Sequence, residues 1–122
     1  MEQGYCLSAE SLLYAVLKLH KRGIYGVPNV MPKSSDKQFP EFAQQAEMEL
    51  LNKGYGLMDF DGVFSLEDCF AELVSRCADC TGVIGTSLRR NGKWEKYTLY
   101  LDAGVLLERA EDAACTLRSA ED

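Results

Sequence analysis

Apolar residues recur at helical spacing in three places along the chain. In the first, Leu12, Leu13, Val16 and Leu17 follow Ser8, whose hydroxyl suits an N-cap. Leu7 and Leu12 take the positions of a hydrophobic staple, and Gly23 offers a left-handed C-terminal residue. This pattern predicts a helix over 9–22. A second stripe, Phe42, Ala46, Leu50 and Leu51, lies between Pro40 and Gly54 and predicts a helix over 40–53. A third, Leu66, Cys69, Phe70, Leu73, Val74 and Cys77, opens on Ser65-Leu66-Glu67-Asp68, which reads as a capping box. It predicts a helix over 66–78. Between the first two helices, GIYGVPNVMPKSSDKQFP holds all three prolines of the chain, which exclude a continuous element. Its apolar content fits an ordered loop lying across the core. YGLMDFDGVF reads as a short strand or extended turn reversing at Asp61-Gly62.

From Gly82 onward the period falls to two. Asn91-Gly92 between two alternating runs is the signature of a tight hairpin with strands over 83–90 and 93–101. A two-residue loop sets Arg90 opposite Lys93, Arg89 opposite Trp94, Thr86 opposite Tyr97 and Ile84 opposite Leu99. One face then carries Ile84, Thr86, Leu88, Tyr97, Leu99 and Leu101, and its apolar content marks it as the core side. The other carries Val83, Gly85, Ser87, Arg89, Trp94, Lys96, Thr98 and Tyr100. Further strands follow over 105–110 and 114–118, the last of them an edge through which a homodimer could pair. The expected fold is a single α+β domain over 1–122. Three helices pack on a C-terminal antiparallel β-meander of about four strands, in the order α-loop-α-β-α-β-β-β-β.

Length and composition agree with one domain: 122 residues, 47% of them apolar. The net charge of −6 is uneven. Residues 1–40 carry five Lys or Arg against three Asp or Glu, and the remainder eight against sixteen. An acidic domain lacks the positive footprint of a nucleic-acid binder and is repelled by anionic membrane surfaces. No apolar run reaches the ~20 residues that span a bilayer. The N-terminus has no basic segment ahead of its apolar stretch, so no signal peptide is expected. Five cysteines, an odd number without framework spacing, fit free thiols in a reducing cytoplasm.

Candidate chemistry is sparse. Cys77 and Cys80 form the one CxxC, but a zinc site needs four ligands, and Cys6, Cys69, Cys115 and His20 supply no second close pair. Core and helix-end packing explains Cys69, Cys77 and Cys80 more simply than a metal or redox pair. His20, the single histidine, has no Ser or Cys nucleophile beside it and fits a packed or capping role. Asp59, Asp61, Glu67, Asp68 and Glu72 lack the spacing of a calcium loop. No catalytic residue, metal or cofactor is assigned. The hairpin gathers Arg89, Arg90, Lys93 and Lys96 around Trp94, a combination that could contact nucleic acid but also suits edge protection. Aromatic residues mixed with Arg are the composition favoured at protein interfaces, and burial of Val83, Trp94 and Tyr100 under the chain's own helices fits at least equally well. Arg89, Trp94, Tyr100 and Lys96, with Tyr25 from the 24–31 loop, are therefore the candidate partner-binding residues.

Three segments in order, LSAESLLYAVLKLHKRGIYGVP, AEMELLNKGYGLMDFDGVFSLEDCFAELVSRCADC and GVIGTSLRRNGKWEKYTLYLDAGVLLERAEDAACTLRS, resemble the EspG family of type VII secretion chaperones and their counterparts in Gram-positive secretion clusters. The resemblance spans residues 5–118 as a pattern of elements without a diagnostic motif, and it is shared in part with winged-helix domains. It implies an antiparallel sheet packed against helices. It also implies a cytoplasmic, non-enzymatic protein that holds a helical-hairpin secretion substrate. Members of that family contain two such α/β halves, and this chain corresponds to one. That departure fits a half-length relative, a segment of a longer chain, or a protomer completed by dimerisation.

Overall fold

A computed structural model of the chain describes residues 4–27, 32–33, 36–110 and 115–119. The element order is β1 (Tyr5–Leu7), α1 (Ala9–Lys18), α2 (Phe39–Lys53), β2 (Gly56–Met58), β3 (Phe64–Leu66), α3 (Asp68–Ala78), β4 (Val83–Arg90), β5 (Lys93–Tyr100), β6 (Val105–Ala110) and β7 (Cys115–Ser119). It is an α+β fold of three helices with a five-stranded antiparallel sheet, ordered β1-β7-β6-β5-β4, and a separate β2–β3 hairpin. The expected meander is present. Its strand count is one short, because Tyr5–Leu7 adds a strand beside β7 that three residues of sequence do not announce. The expectation that β7 is an open edge is therefore corrected: Tyr5 faces Leu117 and Leu7 faces Cys115.

Local signals account for the helices. Ser8 caps α1, its hydroxyl accepting from the Ser11 N–H at 3.1 Å. The helix stops at Leu19 rather than 22, because His20 takes the left-handed conformation (φ 61°) expected of Gly23. His20 is exposed there. α2 starts one residue before Pro40 and ends on Gly54 at φ 81°. The cap of α3 is Glu67, whose carboxylate accepts from the N–H groups of Cys69 and Phe70, both at 3.0 Å. Ser65 belongs to β3, so the expected capping box is not formed. Glu49 ties α2 to the start of α1, accepting from the Ser8 N–H at 3.0 Å, from the Ser8 hydroxyl at 2.7 Å and from the Ser11 hydroxyl. Partial desolvation pushes its carboxyl upward, and those hydrogen bonds outweigh it, leaving the carboxyl below the usual glutamate range.

The core is one cluster. Leu12, Ala15 and Val16 of α1, Leu50 of α2 and Phe70, Val74 and Cys77 of α3 join Tyr100, Val105, Leu107, Cys115 and Leu117 of the sheet. Residues 21–27 cross the sheet as an ordered loop, as the apolar content suggested; residues 28–31 and 34–35 of the expected loop, and the Glu111-Asp112 turn, lie outside the described residues. The Tyr25 carbonyl accepts from the Tyr100 hydroxyl. Gly26, at φ +90°, lies so close to β5 that a Cβ there would meet Thr98 Oγ1 at 2.3 Å. Gly26→Ala should therefore cost about 2–4 kcal/mol, combining backbone strain with overlap against Thr98. Urea denaturation of the variant measures it, and an unchanged midpoint would contradict the close approach.

Candidate functional site

Strand alternation gives the sheet two faces, and the helices cover one. The hairpin register is the predicted one: Arg90 opposite Lys93, Arg89 opposite Trp94, Thr86 opposite Tyr97 and Ile84 opposite Leu99. Asn91 (φ 56°) and Gly92 (φ 80°) supply its left-handed turn. The faces are reversed from the expected assignment. Tyr100 is 0% exposed and Thr98 is buried, together with Val105, Leu107, Cys115 and Leu117 on the same side. Ile84 (55% exposed), Leu88 and Leu101 (52%) stand on the open side. The reason lies in β6 and β7. Register continues the Tyr100 face through Val105, Leu107, Cys115 and Leu117, with Arg109 as its one charged residue in β6 and β7. It continues the Ile84 face into Leu106, then Glu108, Thr116 and Arg118. Burying that second face would place an ion pair, Arg118 Nε to Glu108 Oε2 at 2.5 Å, inside the core.

The open face is apolar at one end and polar at the other. Ile84, Leu99 and Leu106 lie side by side across β4, β5 and β6, with Leu101 beyond them at the end of β5. Leu99 and Leu106 are half-buried, being shielded by their neighbours in the sheet. The next row runs Thr86, Tyr97, Glu108 and Thr116 and ends on Cys6 of β1. Among the described residues no helix or loop lies in the sheet order or core cluster on this side.

The predicted partner-binding residues separate. Tyr100 is a core residue, its hydroxyl turned to the Tyr25 carbonyl and its ionisation pushed upward by burial. It cannot meet a partner without unfolding the loop above it, which corrects its assignment as a surface residue. Arg89, Trp94 and Lys96 lie further out on the same side, where the hairpin projects past the helical layer and both faces are exposed. The Arg89 guanidinium sits over the Trp94 ring, 5.9 Å from its centroid, and Trp94 remains 45% exposed. Tyr25 is exposed as well, beside a shallow depression lined by Arg22, Gly23, Ile24 and Ala78.

The CxxC lies in a structural setting. Cys77 and Cys80 are buried, and burial pushes the Cys77 thiol up to about 12, the opposite of what a redox or metal-binding thiol needs. Cys80 Sγ donates to the Gly82 carbonyl at 3.2 Å. Cys69, expected in the core, is exposed on α3, as is Cys6 on β1. Among the described residues no three His, Cys, Asp or Glu side chains are grouped to hold a metal ion. The β2–β3 hairpin holds a surface that the periodicity did not reveal. Leu57, Met58, Phe60 and Val63 are exposed on it, while Phe64 turns its ring into the core and Leu66 packs against it. The signal was available in YGLMDFDGVF, which has more apolar residues than one face of so short a hairpin can bury.

Neither a scan against protein-family models nor a search of curated proteins finds a match to the chain. Side-chain placement therefore carries the assignment of roles. Tyr100→Ala should cost about 3–5 kcal/mol, as for a large buried aromatic, and Trp94→Ala less than about 1 kcal/mol. Chemical denaturation of both variants checks this. Equal costs would mean that the hairpin side chains share one environment.

Proposed function

We propose that the protein is a non-catalytic binding domain that receives another protein on its open sheet face. The observation that carries this reading is the apolar row Ile84–Leu99–Leu106 with Leu101, on a face that no described helix covers. Sheets normally hide such a face, and an exposed one rimmed by polar residues is the usual mark of a docking surface. An amphipathic helix fits it, since its apolar stripe matches a row about three strands wide while its polar side remains in water. Glu108, Arg118 and Tyr97 would then supply the polar rim, while Trp94, Arg89, Lys96 and Tyr25 form a separate exposed surface on the reverse side.

The finer proposal follows the resemblance to EspG-like chaperones. The partner is a helical-hairpin substrate of a bacterial type VII secretion system, held in the cytoplasm before export. No helix is long and apolar enough to cross a membrane among the described residues, which agrees with a role away from the bilayer core. DNA binding by the basic hairpin is the weaker reading. The domain as a whole carries a net charge of −6, which opposes binding to a polyanion.

Leu106→Lys and Leu101→Glu place charges on the face without touching the core. Each should weaken binding of a co-encoded helical-hairpin protein by roughly tenfold or more in calorimetric titration, while the melting temperature changes little. Phe60→Ser serves as the comparison and should leave affinity unchanged. If the face variants bind normally and Phe60→Ser does not, the binding surface is the β2–β3 hairpin instead.

A further inference from the structure

The two edges of the five-stranded sheet are treated differently by the chain. At one end β1 is short, and its outward backbone groups are occupied by side chains. The Cys6 N–H donates to the Tyr55 hydroxyl at 3.0 Å, and Lys53 Nζ donates to the Cys6 carbonyl at 2.6 Å. That edge cannot accept another strand. At the other end β4 runs for eight residues. The Leu101 N–H donates to the Gly82 carbonyl at 2.8 Å, which fixes the alternation: even-numbered residues of β4 turn their backbone inward to β5. The N–H and C=O groups of Val83, Gly85, Ser87 and Arg89 therefore point outward. Among the described residues they meet no backbone partner beyond the sheet. Long open edges of this kind are templates for another strand.

We infer that the occupant of this edge is β4 of a second copy, paired antiparallel about a twofold axis at Thr86. In that register Gly85 faces Ser87, Ile84 faces Leu88 and Val83 faces Arg89, so each outward N–H meets an outward carbonyl. Two observations select this pairing. The first is the charge along the edge. β4 begins beside Asp102, an exposed carboxylate that accepts from the Thr81 N–H at 3.1 Å and the Thr81 hydroxyl at 2.7 Å. It ends on Arg89 and Arg90. Asp79 also lies at the start, already paired with Lys21 at 2.8 Å. Antiparallel pairing brings each basic end to the other copy's Asp102. Arg89 then faces Val83, two residues, or about 7 Å, from Thr81, which is within the reach of its side chain. A parallel arrangement would set arginine against arginine. The second is the pattern on the open face. Ile84 and Leu88 of one copy lie against Leu88 and Ile84 of the other, so the row Leu106–Leu99–Ile84 gains the second copy's Leu88 before it reaches Glu95. A twofold axis perpendicular to the sheet leaves both open faces on one side, forming a ten-stranded floor.

The contact is small, so the dimer should dissociate with dilution through the micromolar range. Sedimentation equilibrium of the full chain tests it. The wild-type protein should sediment as a concentration-dependent dimer. Ser87→Pro removes an outward N–H without breaking the β4–β5 ladder, and should yield a monomer with an unchanged circular dichroism spectrum. Arg89→Glu should raise the dissociation constant roughly tenfold or more, and adding Asp102→Lys to it should restore pairing. A wild-type protein that stays monomeric throughout overturns the proposal and leaves the edge to a strand of another protein. A Ser87→Pro dimer as tight as wild type also overturns it and places the interface elsewhere. Neither result bears on helix binding at Leu101 and Leu106, which stands on a different surface.

Discussion

Tyr100 closes β5 on the covered sheet face, fully buried in the cluster that joins all three helices to the sheet, with its hydroxyl donating to the carbonyl of Tyr25. A ring of that size gives up a large apolar area to water if it turns outward, and its hydroxyl needs a partner once buried. Both requirements are met on one side of the sheet, by the loop that Gly26 allows to run flat across Thr98 and Leu107. Because side chains alternate, burying Tyr100 commits Val105, Leu107, Cys115 and Leu117 to the interior, and it leaves Ile84, Leu99, Leu101 and Leu106 on the outside. The open apolar face is thus a consequence of how the core is built.

Much of the fold could be read from local chemistry. Asn91-Gly92 set the hairpin and its register, Ser8 and Gly54 marked helix ends, and the prolines marked the loop. Those features depend on a few neighbouring residues, so sequence reports them directly. Three others depend on distant ones. β1 is only Tyr5–Leu7 and exists because β7 offers it a ladder. The left-handed residue after α1 is His20 rather than the nearby Gly23. The buried face was misjudged because Arg89, Trp94 and Lys96 made the Tyr100 side look polar along the whole hairpin. Only the inner half of that side lies under helices. The alternation of Glu108, Thr116 and Arg118 with Leu107, Cys115 and Leu117 carried the correct answer in β6 and β7, the next two strands of the sheet beyond the hairpin.

The candidate site was legible as chemistry but not as location. Aromatic and basic residues on the hairpin pointed to a surface without catalytic groups. Trp94 and Arg89 are indeed exposed and stacked, while Tyr100 belongs to the core. The larger apolar surface lies on the reverse of the same strands. A helical layer narrower than its sheet produces both outcomes: one face is partly bare at the hairpin, and the other is bare throughout the described residues.

The division of the sheet into a covered and an open face is the claim on which the rest stands, and the native cysteines probe it without mutation. Cys115 lies on the covered face and Cys6, one register step away on β1, on the open one. Brief alkylation of the folded protein, followed by peptide mapping, reads the five thiols separately. Modification of Cys6 and Cys69, with Cys77, Cys80 and Cys115 protected until denaturant is added, is the predicted result. Rapid modification of Cys115 with Cys6 protected would mean that the helices cover the opposite face.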